Sequence, residues 1–120
     1  MAKTRSVQLT LPWPPSVNHY WLRNRNGSIR VSAAGITFRQ EVWLRCRQQR
    51  ITGLTGRLCV SIDAFPPDQR RRDLDNILKA TLDALQHGGV YKDDSQIDQL
   101  LIVRSPSVKD GVLRVNVESA

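Results

Sequence analysis

The apolar periodicity of this chain switches between two residues and about 3.6 several times within 120 positions, and that alternation constrains its fold more than any single motif. Val7-Gln8-Leu9-Thr10-Leu11 alternates with period two and stops at Pro12, which reads as a strand. Pro12-Trp13-Pro14-Pro15 is rigid and cannot continue a central sheet ladder. Leu58, Val60, Ile62 and Ala64 alternate along a second strand, closed by Pro66-Pro67. Ile97 to Arg104 and Val112 to Glu118 read as two more, joined by a turn through Lys109-Asp110-Gly111. Helical patterns lie between these segments. Ser32 is placed to cap a helix over roughly 33–50, with Phe38, Val42, Trp43 and Cys46 as its apolar stripe and Arg39, Arg45 and Arg47 as its charges. The clearest helix runs from about Leu74 to Gln86. Leu74, Ile77, Leu78, Thr81, Leu82 and Leu85 fall on one stripe there, and Gly88-Gly89 supplies the stop. Asn18 to Trp21 and Ser28 to Val31 flank Arg23-Asn24-Arg25-Asn26-Gly27, where Asn26-Gly27 predicts a hairpin turn set between arginines. The expected architecture is a mixed α/β (α+β) fold in a single small domain spanning residues 1–120. It is a largely antiparallel mixed β-sheet with two main helices packed on it. Strand order does not follow from periodicity.

Hydrophobic residues at 40% and charged residues at 24% exclude a disordered chain. No apolar run approaches the ~20 residues that span a bilayer, so no membrane partner is expected. Met1 to Thr10 carries basic residues but no apolar core with a cleavage site, and a cytoplasmic protein is expected. Cys46 and Cys59 are too few for a metal framework and read as reduced, buried thiols. So small a domain has a thin burial margin, which a dimer interface would widen. The charge balance is more telling. Eighteen Lys and Arg stand against eleven Asp and Glu, a net +7, and fourteen of the cations are Arg, whose planar fork matches phosphate oxygens in pairs. A basic domain without a membrane signal points to nucleic acid, with a merely solvated basic surface as the plain alternative.

The acidic residues are unevenly placed. Arg70-Arg71-Arg72-Asp73-Leu74-Asp75-Asn76 sets two carboxylates directly behind three arginines. Residues two apart in a helix point about 200° from each other, so Asp73 and Asp75 converge only if Asp73 is extended and Asp75 opens the helix. Lys79 then lies one turn along from Asp75 on the same face. Each carboxylate also has a structural use: Asp caps a helix N-terminus, and Asp75 with Lys79 makes an i,i+4 pair. Both together, beside three arginines, would repel a phosphate backbone unless a cation bridged them. A second doublet, Asp93-Asp94, precedes the strand from Ile97; by itself it is a polar turn. Asp73, Asp75 and Asp94 together would form an all-oxygen site suited to Mg2+, which takes one or two carboxylates, keeps waters and completes its octahedron with phosphate.

Leu11-Pro12-Trp13-Pro14-Pro15-Ser16 with Asn18 and Tyr20 resembles the N-terminal signature of the RusA family of Holliday junction resolvases. Arg70 to Asn76, with Lys79, Ala80, Asp83, Ala84 and Leu85, resembles its central motif, and Tyr91-Lys92-Asp93-Asp94-Ser95-Gln96 its third acidic element. The resemblance covers nearly the whole chain in the same order, although Asp68 and Gln69 shorten the basic run. It implies a mixed α/β homodimer that requires Mg2+ or Mn2+ and cuts four-way junction DNA. Asp73, Asp75 and Asp94 match the motif carboxylates, and Lys79 matches the essential lysine that meets the scissile phosphate. Asn76 matches too, as an orienting or phosphate-binding residue, while Asp93 is either a supporting or a turn residue. A junction with two-fold symmetry needs two symmetric nicks, which a two-fold dimer supplies. The products expected are 5′-phosphate and 3′-hydroxyl ends. Arg23, Arg25 and Arg30, with Arg70, Arg71 and Arg72, are the candidate phosphate contacts, a solvated hairpin being the other reading of Arg23 and Arg25. The Trp-bearing N-terminal half is the candidate dimer face. The alternatives are a non-catalytic junction- or duplex-binding module, which gains nothing from three carboxylates, and another metal nuclease acting on RNA or flaps.

Overall fold

The computed structural model describes residues 5–120; positions 1–4 of the expected domain, and with them the start of the Met1 to Thr10 segment, lie outside the described residues. In chain order the elements are β1 (Ser6–Pro12), the one-turn α1 (Val17–Tyr20), β2 (Trp21–Arg23), β3 (Ile29–Val31), α2 (Ala33–Gln48), β4 (Leu58–Phe65), α3 (Leu78–His87), β5 (Ile97–Arg104) and β6 (Val112–Ser119). Each long period-two run thus becomes a strand, and the four form one sheet in the order β1-β6-β4-β5. Register places Leu9 opposite Val115 and Ile62 opposite the same valine, which lines the apolar residues of three strands on one face. Phe38, Val42 and Cys46 of α2, with Ala80, Ala84 and Leu85 of α3, bury that face. The other face carries Gln8, Thr10, Ser61, Asp63, Arg114 and Asn116.

Two of the three pairings in this sheet are antiparallel; β4 and β5 are parallel. A parallel pair needs a crossover, and α3 provides it. The expected direct turn between the last two strands is therefore a loop over the end of β4, with β5 and β6 on opposite sides of that strand. Periodicity reports which face a residue occupies and is blind to which strand lies beside it.

Smaller departures have local causes. Asn26 does not share the positive φ of Gly27, at +87°, so the hairpin is not a two-residue Asn-Gly turn. The Asn24 carbonyl instead accepts from Gly27 N–H at 3.0 Å, and glycine supplies the left-handed residue that follows. Ser32 caps α2 as expected, accepting from Gly35 N–H, but the helix ends at Gln48 and Arg50 turns left-handed at φ 54°. The segment before α3 starts as a 3-10 turn, Leu74–Ile77, as α-helix termini often do. Cys46 is buried as expected. Cys59 is only half-buried, on the open sheet face, and both thiols are free.

Candidate active site

Asp73 is extended, with φ −90° and ψ 135°, and Asp75 sits inside the 3-10 turn it precedes. This is the backbone arrangement that lets two carboxylates two residues apart face the same space. The capping alternative fails for Asp73, whose side chain makes no cap hydrogen bond. The i,i+4 alternative fails as well. Among the described residues Asp73, Asp75, Asp94 and Lys79 enter no salt bridge, and Asp73, Asp75, Lys79 and Asp94 are exposed. Asn76 lies half-buried in the same turn.

Other carboxylates of the chain are committed. Asp68 accepts from Arg72 at 2.6 Å and lies 3.5 Å from Arg70. Its carboxyl pKa is held down at about 2, first by the Arg72 hydrogen bond and then by the Arg70 backbone N–H. Arg72 also lies over the Trp13 ring, 5.9 Å from its centroid. Of the three arginines of the motif, Arg72 is thus tied into the fold, Arg70 leans on Asp68, and Arg71 stands exposed without an acid partner among the described residues. Asp93 closes a capping box with Gln96, accepting from Ser95 N–H, and that bond is the main reason its carboxyl is lowered. It is a turn residue. Asp98 pairs with Arg57.

Sequence reasoning missed one cluster. Asp83, two turns along α3 from Asp75, accepts from Arg39 at 2.8 Å and from the Tyr20 hydroxyl, and Arg39 Nε lies 2.9 Å from that hydroxyl. Burial and then the Asp83 bond push the Tyr20 phenol up to about 12. The cluster pins α1 and α2 to α3 and thereby fixes the face that presents Asp75 and Lys79. Its partners are 44 and 63 residues away in sequence, out of reach of local spacing.

The three expected metal carboxylates are not brought together within one chain. Among the described residues no group of three or more His, Cys, Asp or Glu is placed to hold a metal ion. Asp94 N–H donates to the Gln86 side chain, at the far end of α3. Asp94 is thus held beside α3, which begins after the 3-10 turn that carries Asp75. Near Asp73 the chain instead places the end of β5: Arg104 donates to the Arg72 carbonyl at 2.6 Å. A hollow of about 670 Å³ lies elsewhere, lined by Arg45, Gln48, Asp63, Arg114 and Asn116 among others. The acids occupy open surface, as a substrate too large for a pocket requires.

Of the expected phosphate contacts, Arg23, Arg25 and Arg30 are exposed on the β2–β3 hairpin, and Arg30 Nε donates to the Asn24 side chain at 2.9 Å. Of the N-terminal tryptophans, Trp13 and Trp21 pack on the core, whereas Trp43 of α2 is 44% exposed. The exposed large apolar residues include Leu100, Leu101 and Val103 of β5, at 42%, 60% and 43%.

Residues 12–118 match the family described as Endodeoxyribonuclease RusA. The chain is similar to the crossover junction endodeoxyribonuclease of Enterobacteria phage HK97, 41% identical over 111 residues and 92% of each chain. It is similar to that of Escherichia coli K12, 40% identical over 113 residues and 93% of each. It also matches that of Enterobacteria phage 82, at 39% over 113 residues.

Proposed function

Because the chain belongs to the RusA family of endodeoxyribonucleases, we propose that it is a Holliday junction resolvase, a metal-dependent nuclease that nicks four-way DNA junctions in symmetric pairs. The observation that carries this reading is the state of the acids. In a chain of net +7, Asp73 and Asp75 stand exposed directly behind three arginines yet enter no salt bridge among the described residues, Asp73 on extended backbone and Asp75 in the 3-10 turn that follows.

Two exposed carboxylates fit Mg2+, with Mn2+ able to take its place, because that ion keeps waters and takes its remaining oxygens from phosphate. When bound, it polarises the phosphoryl group and offsets charge on the leaving oxygen. Lys79, one turn along the same face, holds a non-bridging oxygen of the scissile phosphate. Asn76 orients a carboxylate of the pair, and Arg70 and Arg71 bind the flanking backbone. The oxygen of a water bonds to phosphorus as the P–O3′ bond breaks, leaving a 5′-phosphate and a 3′-hydroxyl. A bacterial cytoplasm, with a chromosomal or phage gene, fits relatives from Escherichia coli and from Enterobacteria phages; among the described residues no helix is long and apolar enough to cross a membrane.

The third carboxylate calls for a second copy. β5 is an edge strand whose middle is apolar and uncovered. Pairing it with its own copy about a two-fold axis normal to the sheet is antiparallel, so the start of one β5 meets the end of the other. Asp94 lies three residues before β5 begins, and Asp73 follows the Arg72 held by Arg104 at its end. The pairing thus carries the Asp94 of one copy toward the Asp73–Asp75 pair of the other. The homodimer supplies both the symmetry of the junction and the missing ligand.

A labelled synthetic four-way junction tests the reading with wild type and Asp75→Asn, each with and without Mg2+. Paired symmetric nicks by wild type only with metal, and binding without cutting by Asp75→Asn, are expected. Junction binding by wild type with no cleavage in Mg2+ or Mn2+ would leave a binding module.

A further inference from the structure

The first 40 residues contain no Asp or Glu, and their outermost part is the β2–β3 hairpin. Cross-strand pairing sets Trp21 opposite Val31 and Arg23 opposite Ile29. Side chains alternate, so all four share one face of the ribbon. Trp21 and Val31 pack against the core, whereas Ile29, further out, is 61% exposed and has no structural work to do there. Among the described residues Arg23, Arg25 and Arg30 have no acidic partner.

The ribbon is stiff and rooted at the candidate site. Its tip is laced by Asn24 to the Ser28 hydroxyl at 2.9 Å, Ser28 to the Asn26 side chain at 2.6 Å, and Arg30 to Asn24. At its base, a Cβ on Gly35 would lie 2.6 Å from Val31 and 2.9 Å from Tyr20, so the ribbon sits directly on the α2 backbone. Tyr20, the last residue of α1 before β2, donates to Asp83 on the helix that carries Lys79.

Resting on the junction-cutting reading above, we propose that Ile29 is an apolar wedge that enters the interrupted base stack at the branch point, with Arg23, Arg25 and Arg30 clamping the surrounding phosphates. An apolar side chain inserted between stacked pairs must unstack them, which costs most in continuous duplex and least where stacking is already broken. The wedge therefore selects branched over continuous DNA, while the arginines bind both.

Binding is measured without divalent metal on a four-way junction carrying 2-aminopurine beside the branch, and on a duplex of the same sequence. Wild type is expected to raise the 2-aminopurine fluorescence. Ile29→Ala, at an exposed site, is expected to abolish most of that rise and to cut the junction-over-duplex preference about tenfold, leaving duplex affinity within about twofold. Ile29→Leu restores both readouts. Arg23→Gln with Arg25→Gln lowers affinity for both DNAs and reduces the salt slope by about one per arginine. Ile29→Ala with wild-type fluorescence and preference, or with equal losses on junction and duplex, overturns the wedge alone. Wild type without any junction preference overturns the resolvase reading and the wedge with it.

Discussion

The two edges of the sheet are built on opposite principles. β1 is guarded: Ser6, Gln8 and Thr10 are polar, Pro12 ends the ladder, and Arg45 of α2 donates to the Thr10 carbonyl at 2.6 Å. These are ordinary devices against edge-to-edge pairing. β5 has eight residues, and its charges are confined to its ends, where Asp98 is held by Arg57 and Arg104 reaches the Arg72 carbonyl. Between them Leu100, Leu101 and Val103 are exposed. One domain thus closes one edge and leaves the other open, and the open edge starts beside Asp94 and ends beside Asp73. The difference teaches where a second copy would dock: the proposed homodimer would use the open edge to bring Asp94 of one copy to Asp73 and Asp75 of the other.

The contrast can be broken from either edge. Leu101→Glu with Val103→Glu sets unpaired charges against their own copies across the axis. Sedimentation equilibrium should show self-association weakened by about 1,000-fold, with cleavage lost at the same protein concentration. The monomer keeps its fold, since both side chains are exposed. Arg104→Ala releases the segment carrying Asp73 from the end of β5; cleavage should fall about tenfold, as loss of positioning does, with sedimentation unchanged. Arg45→Ala, on the guarded edge, leaves the Thr10 carbonyl to water and should lower stability to urea by about 1 kcal/mol without altering self-association. Thr10→Glu on the same edge should change stability by no more than about 0.5 kcal/mol and assembly not at all.

Much of this was legible in the residues because alternation and helical spacing are local. Val7 to Leu11, Leu58 to Ala64 and Ile97 to Arg104 declared their strands, and the Leu74 to Leu85 stripe its helix. The extended Asp73 ahead of a helical Asp75 also followed from where that stripe begins. What the residues hid depends on neighbours distant in sequence. Nothing in Asp68 announced that it would bind Arg72 and remove it from the phosphate-facing set. Nothing in Asp94 said that its backbone would be held by the Gln86 side chain of α3. The parallel β4–β5 pairing, which makes β5 an edge, is invisible to a pattern that reports faces only.

Trans-complementation tests the central claim most directly. Asp75→Asn and Asp94→Asn chains, each inactive alone, are unfolded, mixed in equal amounts, refolded together and given a labelled four-way junction with Mg2+. If each site takes Asp73 and Asp75 from one copy and Asp94 from the other, every mixed dimer keeps one intact site. Random pairing then restores about a quarter of wild-type nicking, seen as single nicks rather than paired cuts. If each chain builds its own site, every site carries a lesion, and a mixture as inactive as its components would contradict the account.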